Sequence, residues 1–274
     1  MTKVLLILWF KLTEWIKGIE MAHYQDQIDG ENKPTIKLMQ GDCLERMKEI
    51  ESGSVDMILT DPPYGTTACK WDSIIPLEPM WEQLKRIVKP NGAIVMTASQ
   101  PFTSVLGVSN LPMLKESLTW EKTTATGHLN AKKRHMRAHE DILVFFSNPP
   151  TYNPQMTHGH ERKTALRVNR VGKQSDCYGE QKGVTSYDST SRYPRSVIKT
   201  STDKQKSKLH PTQKPVALME YLIKTYTNES DTVLDFTMGS GSTGVAAKNL
   251  NRNFIGIELD ENYFNIAKER ISEV

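Results

Sequence analysis

Residues 232–258, TVLDFTMGSGSTGVAAKNLNRNFIGIE, contain the pattern that determines the fold. The segment predicts a short buried strand, a glycine-rich turn over residues 239–244, a helix, and a second strand that ends in Glu258. Such a unit is typical of nucleotide binding, because the glycines let the backbone approach a ligand and the terminal acid can accept both hydroxyl groups of a ribose. The spacing also fits G-x-G-x-x-G, so a nicotinamide-dependent dehydrogenase is one candidate.

The position of this unit near the end of the 274-residue chain indicates where the other strands lie. Only sixteen residues follow Glu258, and residues 261–271 have the pattern of one amphipathic helix. The remaining strands must therefore come from upstream, in a circularly permuted order that weighs against a dehydrogenase. Counting the two C-terminal strands we expect seven, the upstream ones over residues 35–39, 55–60, 93–98, 117–120 and 142–146, with helices over residues 43–50, 79–88 and 215–226.

A second motif, Asp61-Pro62-Pro63-Tyr64, follows the apolar run at residues 55–60. The two prolines fix two φ angles and remove two backbone donors, and Asp61 before them is held extended. The result is a stiff turn at the carboxyl end of a buried strand, where open α/β sheets bind their ligands. The Asp61 carboxylate and the Pro62 carbonyl are acceptors beside an aromatic ring, which suits the amino group of an adenine or cytosine outside its duplex. Alternatively, the turn only ends the strand and Tyr64 packs locally.

Together with residues 210–215, HPTQKP, and in this order, the two motifs resemble a β-class DNA amino-methyltransferase. The resemblance covers roughly residues 35 to 272. It implies methyl transfer from S-adenosylmethionine to a base of double-stranded DNA, on a Rossmann-like α/β fold with a mostly parallel seven-stranded sheet, permuted motif order and a loop-rich insertion. Asp61 favours N6 of adenine, since N4-cytosine enzymes of the family more often have Ser there. The chain departs from the family in lacking the usual proline beside Phe236 and in having Ser242 where Thr is usual.

Other substrates and roles remain open at this point. N4 of cytosine is the nearest alternative, because both bases present the same amino group. RNA, a protein glutamine side chain and a catalytically inactive DNA-binding relative are more distant alternatives, and the dehydrogenase remains the enzyme of a different class.

The resemblance assigns base binding to the second motif. The Asp61 carboxylate and the Pro62 carbonyl would accept hydrogen bonds from the target amino group, and Tyr64 would stack on the flipped base. The protein would mainly supply alignment and a polar cradle for the nitrogen as it becomes positive. Trp71 and Asp72 could help close over the base, or Trp71 could pack in the core. The expected catalytic set is Asp61, Pro62, Pro63 and Tyr64.

The resemblance also implies a cofactor site. Glu258 would hold the ribose hydroxyls, and Lys214 would lie near the methionine carboxylate. Asp42 also fits the N-cap of the helix that follows it, with Glu45 as its capping-box partner, and the two roles are compatible. His210 also fits an ordinary loop position. The residues expected to bind the cofactor are Asp42, Cys43, Asp61, His210, Pro211, Thr212, Lys214, Asp235, Phe236, Gly239, Ser240, Gly241, Ser242 and Glu258.

Positive charge is concentrated in the middle of the chain. Residues 121–209 hold seventeen Lys and Arg against eight Asp and Glu, a net charge of +9 that leaves −6 for the remainder. Such a basic region suits a surface that faces phosphates, although charge runs are more often solvated loops. Residues 147–208 have no clear periodicity and are expected to be the insertion that recognises the target sequence. The residues expected to contact DNA are Lys132, Lys133, Arg134 and Arg137.

The remaining features bound the class of protein. Residues 31–272 are expected to form one catalytic domain behind an extension over residues 1–30. The apolar run at residues 4–10 is too short to span a bilayer. Three cysteines without metal-ligand spacing favour a reducing compartment. We therefore expect a cytoplasmic enzyme of bacterial or phage origin that needs no metal and no membrane, and a homodimer is possible.

Overall fold

The computed structural model describes residues 33–66, 72–168, 174–175, 179–180, 184–201 and 213–274. The predicted extension at residues 1–30 lies outside these ranges. Trp71, His210, Pro211 and Thr212 also lie outside them, so their predicted roles stay predictions.

The described residues form twelve strands and six α-helices, several of them short. The strands are β1 (Ile36–Gln40), β2 (Val55–Thr60), β3 (Val88–Ala98), β4 (Leu114–Thr126), β5 (Arg137–Phe145), β6 (Lys163–Val168), β7 (Gln174–Ser175), β8 (Gly179–Glu180), β9 (Val184–Ser189), β10 (Val197–Thr200), β11 (Thr232–Asp235) and β12 (Asn253–Glu258). The helices are α1 (Cys43–Arg46), which continues as a 3-10 turn, α2 (Leu77–Ile87), α3 (Phe102–Ser109), α4 (Val216–Tyr226), α5 (Ser242–Asn249) and α6 (Glu261–Ser272).

Eight of the strands form one sheet in the order β1-β12-β11-β2-β3-β5-β4-β10. Neighbouring strands are parallel except at β5, which runs antiparallel to both β3 and β4. The unit β11-α5-β12 extends the sheet on one side of β2, and α2 leads to β3 on the other side. The winding therefore reverses between β2 and β11, and open α/β sheets bind ligands at such a point.

Alternating side chains of the central strands pack against different helices, because successive residues of a strand point to opposite faces. In β2, Met57 and Leu59 belong to the core that includes residues of α4, α5 and α6. Ile58 belongs to the core that includes residues of α2 and α3. All three side chains are fully buried. The end of β2 is thus held on both faces, which fixes the position of the turn that follows it.

The structure confirms the α/β class and the mostly parallel sheet, with all seven expected strands present. It adds an eighth strand, β10, beside β4, and β3 begins at Val88 rather than at residue 93. The insertion is more regular than expected, since β6 and β9 form an antiparallel hairpin. Within the described ranges, no helix is long and apolar enough to cross a membrane.

Candidate active site

The carboxyl ends of the central strands open into one cleft with a volume of about 1080 Å³. Asp42 follows β1, Asp61 follows β2, Phe236 follows β11, and Glu258 ends β12, and all four line this cleft. Parallel strands place their carboxyl ends at the same edge of a sheet. Motifs that lie far apart in the sequence therefore meet in one place, as the sequence predicts.

The carboxylate of Asp61 is held by three donors. The hydroxyl groups of Thr97 and Tyr64 donate to Oδ1, the latter over 2.5 Å. Lys214 Nζ donates to Oδ2 over 2.6 Å. A carboxylate offers about four acceptor positions, so about one remains for a ligand. Asp61 is thus fixed in orientation and can still accept one further N–H group.

Tyr64 has partners on both its hydroxyl and its ring. The ring stacks on Phe102, with 5.4 Å between centroids and 23° between planes. Burial, together with the negative charge of Asp61, raises the pKa of Tyr64 well above its ordinary value. The phenol therefore stays protonated and donates to Asp61. The local packing that the sequence left open is present, and stacking of Tyr64 on a base stays a prediction.

Asp72 anchors the turn that carries Asp61 and Tyr64. Its Oδ1 accepts the backbone N–H groups of Tyr64 and Gly65, each over 2.8 Å, and its Oδ2 accepts that of Thr66 over 2.9 Å. Gly65 lies at a bend with a φ of +66°, in the left-handed region that favours glycine. Because Asp72 is itself buried, its three bonds hold the turn in one conformation.

Four side chains of alternating charge extend from Asp61 to the hairpin of β4 and β5. Lys214 Nζ lies 2.6 Å from Asp61 Oδ2 and 3.2 Å from Glu140 Oε2. Lys122 Nζ lies 3.0 Å from Glu140 Oε1. The two lysine side chains are only 8% and 6% exposed.

The charges in this chain of residues stabilise one another. Burial alone would lower the pKa of Lys214, but the carboxylates of Asp61 and Glu140 outweigh it and hold that pKa well above its ordinary value. Burial alone would raise the pKa of Glu140, but the ammonium groups of Lys214 and Lys122 lower it overall. Lys214 and Glu140 therefore stay charged at neutral pH.

The glycine turn and Glu258 form another part of the cleft. Gly239 has a φ of +51°, and a Cβ placed on it would meet no protein atom within 4 Å. Its N–H donates to Glu258 Oε2 over 2.8 Å, and Asp260 N–H donates to Oε1 over 2.9 Å. About two acceptor positions of the carboxylate therefore remain, which matches the two hydroxyl groups of a ribose. The open space beside Gly239 and the remaining acceptor positions of the Glu258 carboxylate fit the expected cofactor.

Gly241 and Gly244 let the glycine turn and α5 pack closely against α6. Its φ is +80°, and an added Cβ would lie 3.0 Å from the Cβ of Ala267 in α6. Gly244, one turn later, leaves room for Ile271 of the same helix, whose Cδ1 would be 2.4 Å from an added Cβ. Gly241 therefore packs closely against α6, and the prediction that its backbone passes close to the cofactor stays a prediction.

Asp42 caps α1, as one of the two interpretations of the sequence predicts. Its Oδ1 accepts the N–H groups of Leu44 and Glu45 over 2.8 and 3.3 Å. The carboxylate of Glu45 pairs with Lys48 instead of completing a capping box. Burial, with the charge of Asp42, raises the pKa of the neighbouring Cys43 thiol to about 12, so this thiol stays neutral. Asp42 thus caps α1 and also lines the cleft.

A buried hydrogen-bond network joins β2 to β11. Thr60 Oγ1 donates to Asp235 Oδ1 over 2.7 Å, and Thr237 N–H donates to the same oxygen over 3.1 Å. Thr237 Oγ1 donates to the backbone carbonyl of Asp61 over 3.2 Å. Burial raises the pKa of Asp235 to about 6. The residues that follow the two strands are therefore connected directly.

The predicted DNA-contacting residues divide into two groups. Lys132, Lys133 and Arg134 are exposed in the turn between β4 and β5. Arg137 begins β5, lines the cleft and donates to Ser99 Oγ over 3.2 Å. Positive charge thus extends from the tip of the hairpin into the cleft.

The cleft brings together most of the predicted residues that the structure describes, and it adds several that sequence reasoning did not assign to the site. Thr97 had a usable signal, because it is a polar residue near the carboxyl end of a predicted buried strand. Ser99, Lys122 and Glu140 gave no signal in the sequence, since their partners lie far away along the chain. Ser99, Lys122 and Glu140 line the cleft, and the fully buried Thr97 belongs to the site through its hydrogen bond to Asp61.

Known proteins similar to this chain are DNA methylases. A family model described as DNA methylase, of N6 and N4 type, matches residues 55–269. The type II methyltransferase M.HpaI of Haemophilus parainfluenzae is 29% identical over 248 residues, which cover 86% of this chain and 74% of that protein. The type II methyltransferase M2.LlaDCHI of Lactococcus lactis subsp. cremoris is 28% identical over 264 residues, covering 86% and 89% respectively.

Solved structures agree with these relatives. The complex of M1.HpyAVI with SAM is 29% identical, with a TM-score of 0.60, and the match covers 86% of this chain and 99% of that one. The cytosine-N4-specific PvuII DNA methyltransferase has a TM-score of 0.61 at 16% identity, with 87% and 86% covered, and at that identity the likeness shows the fold alone. The expected Rossmann-like fold is thereby confirmed.

Proposed function

This chain belongs to the N6/N4 family of DNA methylases, which use S-adenosylmethionine, and from that premise we propose that it methylates N6 of adenine at a specific site in double-stranded DNA. The target base would be turned out of the duplex into the cleft, since the amino group is not accessible inside the stack. The bound cofactor supplies an electrophilic methyl group. The protein supplies the alignment of the amino nitrogen and the acceptors around it.

One observation carries the proposal. The carboxylate of Asp61 lies at the end of β2, oriented by three donors, in the same cleft as the partly used carboxylate of Glu258. The proposed acceptor for the base and the proposed acceptor for the ribose thus line one cavity, which is large enough for two ligands of moderate size.

Glu258 and Gly239 would hold the cofactor. The remaining acceptor positions of Glu258 would bind the ribose hydroxyls, and the open space at Gly239 would admit the ligand close to the backbone. The other cleft-lining residues that we include in the cofactor site are Asp42, Cys43, Asp235, Phe236, Ser240 and Ser242.

Asp61 and the carbonyl of Pro62 would bind the two N–H groups of the adenine amino group. Accepting hydrogen bonds from both N–H groups makes the nitrogen lone pair more available, and the carboxylate stabilises the positive charge that develops on nitrogen until one of the two protons leaves to water. Tyr64, already stacked on Phe102, would place its ring against the base. Pro63 keeps the turn rigid.

DNA would lie across the basic end of the β4–β5 hairpin. Lys132, Lys133 and Arg134 are exposed there and would contact phosphates. Residues 147–208 would provide sequence recognition. A cytoplasmic location and a homodimer belong to the same proposal.

The experiment is methyl transfer from labelled S-adenosylmethionine to unmethylated genomic DNA, with the product nucleosides identified by mass spectrometry. The wild type, Asp61→Ala and the control Glu51→Ala are compared, because Glu51 is exposed and precedes β2 at the opposite edge of the sheet. We expect N6-methyl-2′-deoxyadenosine from the wild type and from Glu51→Ala, and none from Asp61→Ala.

The other outcomes are equally informative. N4-methylcytosine as the product would keep the mechanism and overturn the choice of base. Cofactor binding without any label in DNA would overturn DNA as the substrate. Full activity of Asp61→Ala would remove Asp61 from the reaction.

A further inference from the structure

We propose that Lys214 is a positioning residue for Asp61, and that Glu140 acts through Lys214 to keep Asp61 a strong acceptor. This inference rests on the proposed function, because it concerns how Asp61 receives the target amino group. It replaces the expectation that Lys214 lies at the methionine carboxylate of the cofactor.

The geometry gives Lys214 two carboxylate partners within the protein. Its Nζ lies 2.6 Å from Asp61 Oδ2 and 3.2 Å from Glu140 Oε2, and the Tyr64 hydroxyl oxygen is 3.5 Å away. An ammonium group has three donors; Lys214 donates to Asp61 and, more weakly, to the Tyr64 hydroxyl, and it faces Glu140 Oε2 as an ion pair. Although Lys214 lines the cleft, its side chain is only 8% exposed and its ammonium group already has partners within the protein.

The bond from Lys214 fixes the plane of the Asp61 carboxylate. Thr97 and Tyr64 occupy Oδ1, and Lys214 occupies Oδ2. With both oxygens bound, the carboxylate cannot rotate about its Cβ–Cγ bond without breaking hydrogen bonds. The remaining acceptor position therefore has a defined direction, which a reaction that depends on alignment requires.

Glu140 limits how far the positive charge of Lys214 neutralises the Asp61 carboxylate. A buried ammonium paired only with Asp61 would neutralise the carboxylate that must stabilise positive charge on the target nitrogen. Glu140 attracts the same ammonium from the side of β5, and it is itself held by Lys122 at 3.0 Å. The positive charge of Lys214 is thus shared between two carboxylates, and Asp61 keeps negative potential for the reaction.

The test separates this role from cofactor binding by measuring both. Lys214→Met, Lys214→Arg and Glu140→Gln are compared with wild type for the Kd of S-adenosylmethionine, the KM for DNA, kcat and the Tm. The control is Lys89→Met, which removes a lysine that pairs with Asp56 over 2.7 Å, at the amino end of β2. Removal of one preorganised electrostatic partner typically lowers kcat by about 100-fold.

For Lys214→Met we expect kcat to fall by about 100-fold. The Kd of S-adenosylmethionine should change by less than about threefold. Lys214→Arg should recover part of kcat because the cation remains, and Glu140→Gln should lower kcat by about tenfold at unchanged Kd. Lys89→Met should leave kcat and Kd unchanged.

A cofactor Kd weakened by about tenfold or more in Lys214→Met, with kcat kept at saturating cofactor, would overturn the inference in favour of the cofactor role. An unchanged kcat in Glu140→Gln would overturn the part assigned to Glu140, and this variant decides the matter if Lys214→Met does not fold. Failure of the proposed function is distinguishable, because the wild type itself would then methylate no DNA.

Discussion

The Asp72→Ala substitution removes the acceptor that holds the turn carrying the proposed base-binding residues. Asp72 accepts N–H groups from Tyr64, Gly65 and Thr66 over 2.8, 2.8 and 2.9 Å. Hydrogen bonds to a charged acceptor contribute at least about 1.5 kcal/mol each, or about 4.5 kcal/mol for three. Because Gly65 and Thr66 are exposed, water replaces part of this. We expect the free energy of unfolding to fall by about 3 kcal/mol.

The same substitution should lower kcat by about 100-fold, since a shift of about 1 Å in a reacting group has an effect of that size. Urea denaturation measures the stability, and methyl transfer at saturating substrates measures kcat. The control is Asp231→Ala, which loses one bond from the N–H of Asn228, 2.7 Å long, at the opposite edge of the sheet, and should keep its kcat. An Asp72→Ala protein with stability within about 1 kcal/mol and kcat within about threefold of wild type would refute the reasoning.

Three further substitutions test separate parts of the site. Burial raises the pKa of Asp235 to about 6, so the folded state holds this proton more tightly than the unfolded chain. As the pH rises from about 4 to about 6, the free energy of unfolding of the wild type should therefore fall by up to about 3 kcal/mol. Denaturation at several pH values should show no such loss in Asp235→Asn, and an identical pH dependence would contradict the shift. Glu258→Gln should weaken binding of S-adenosylmethionine by about tenfold or more, measured by calorimetry, because the acceptor of the ribose hydroxyls loses its charge; an unchanged Kd would exclude the role. Arg137→Ala should reduce the slope of DNA affinity against salt concentration by about 1, and an unchanged slope would place DNA elsewhere.

The strand ends of this fold are predictable from the sequence for a simple reason. A buried parallel strand is a continuous apolar run, and the polar residues that follow it, such as Asp61 after β2 and Glu258 at the end of β12, must lie at the ligand-binding edge. Residues 55–60 and 254–258 both have this form. The meeting of motifs nearly 200 residues apart therefore follows from strand direction alone.

Edge strands and long side chains were less predictable. β10 has four residues, of which Ile198 alone is buried, so its pattern resembles that of a loop. The flexible side chain of Lys214 can reach several partners, and the sequence does not indicate that Glu140 lies beside it. Gly241 satisfies the glycine motif, yet its position in the turn directs it at Ala267. Spacing gives the path of the backbone, whereas the partner of each side chain depends on packing between distant segments.

The permuted order of the motifs has a structural consequence at the boundary between β2 and β11. Thr60 donates to Asp235, and Thr237 donates to the backbone carbonyl of Asp61. Two of these residues belong to the proposed base-binding segment and its strand, and the other two belong to the proposed cofactor-binding segment. Because the bonds join neighbouring strands inside a packed core, a shift of either segment must move the other. The relative position of the proposed base-binding and cofactor-binding segments is thus fixed by contacts within the sheet, although the two segments lie at opposite ends of the catalytic region in the sequence.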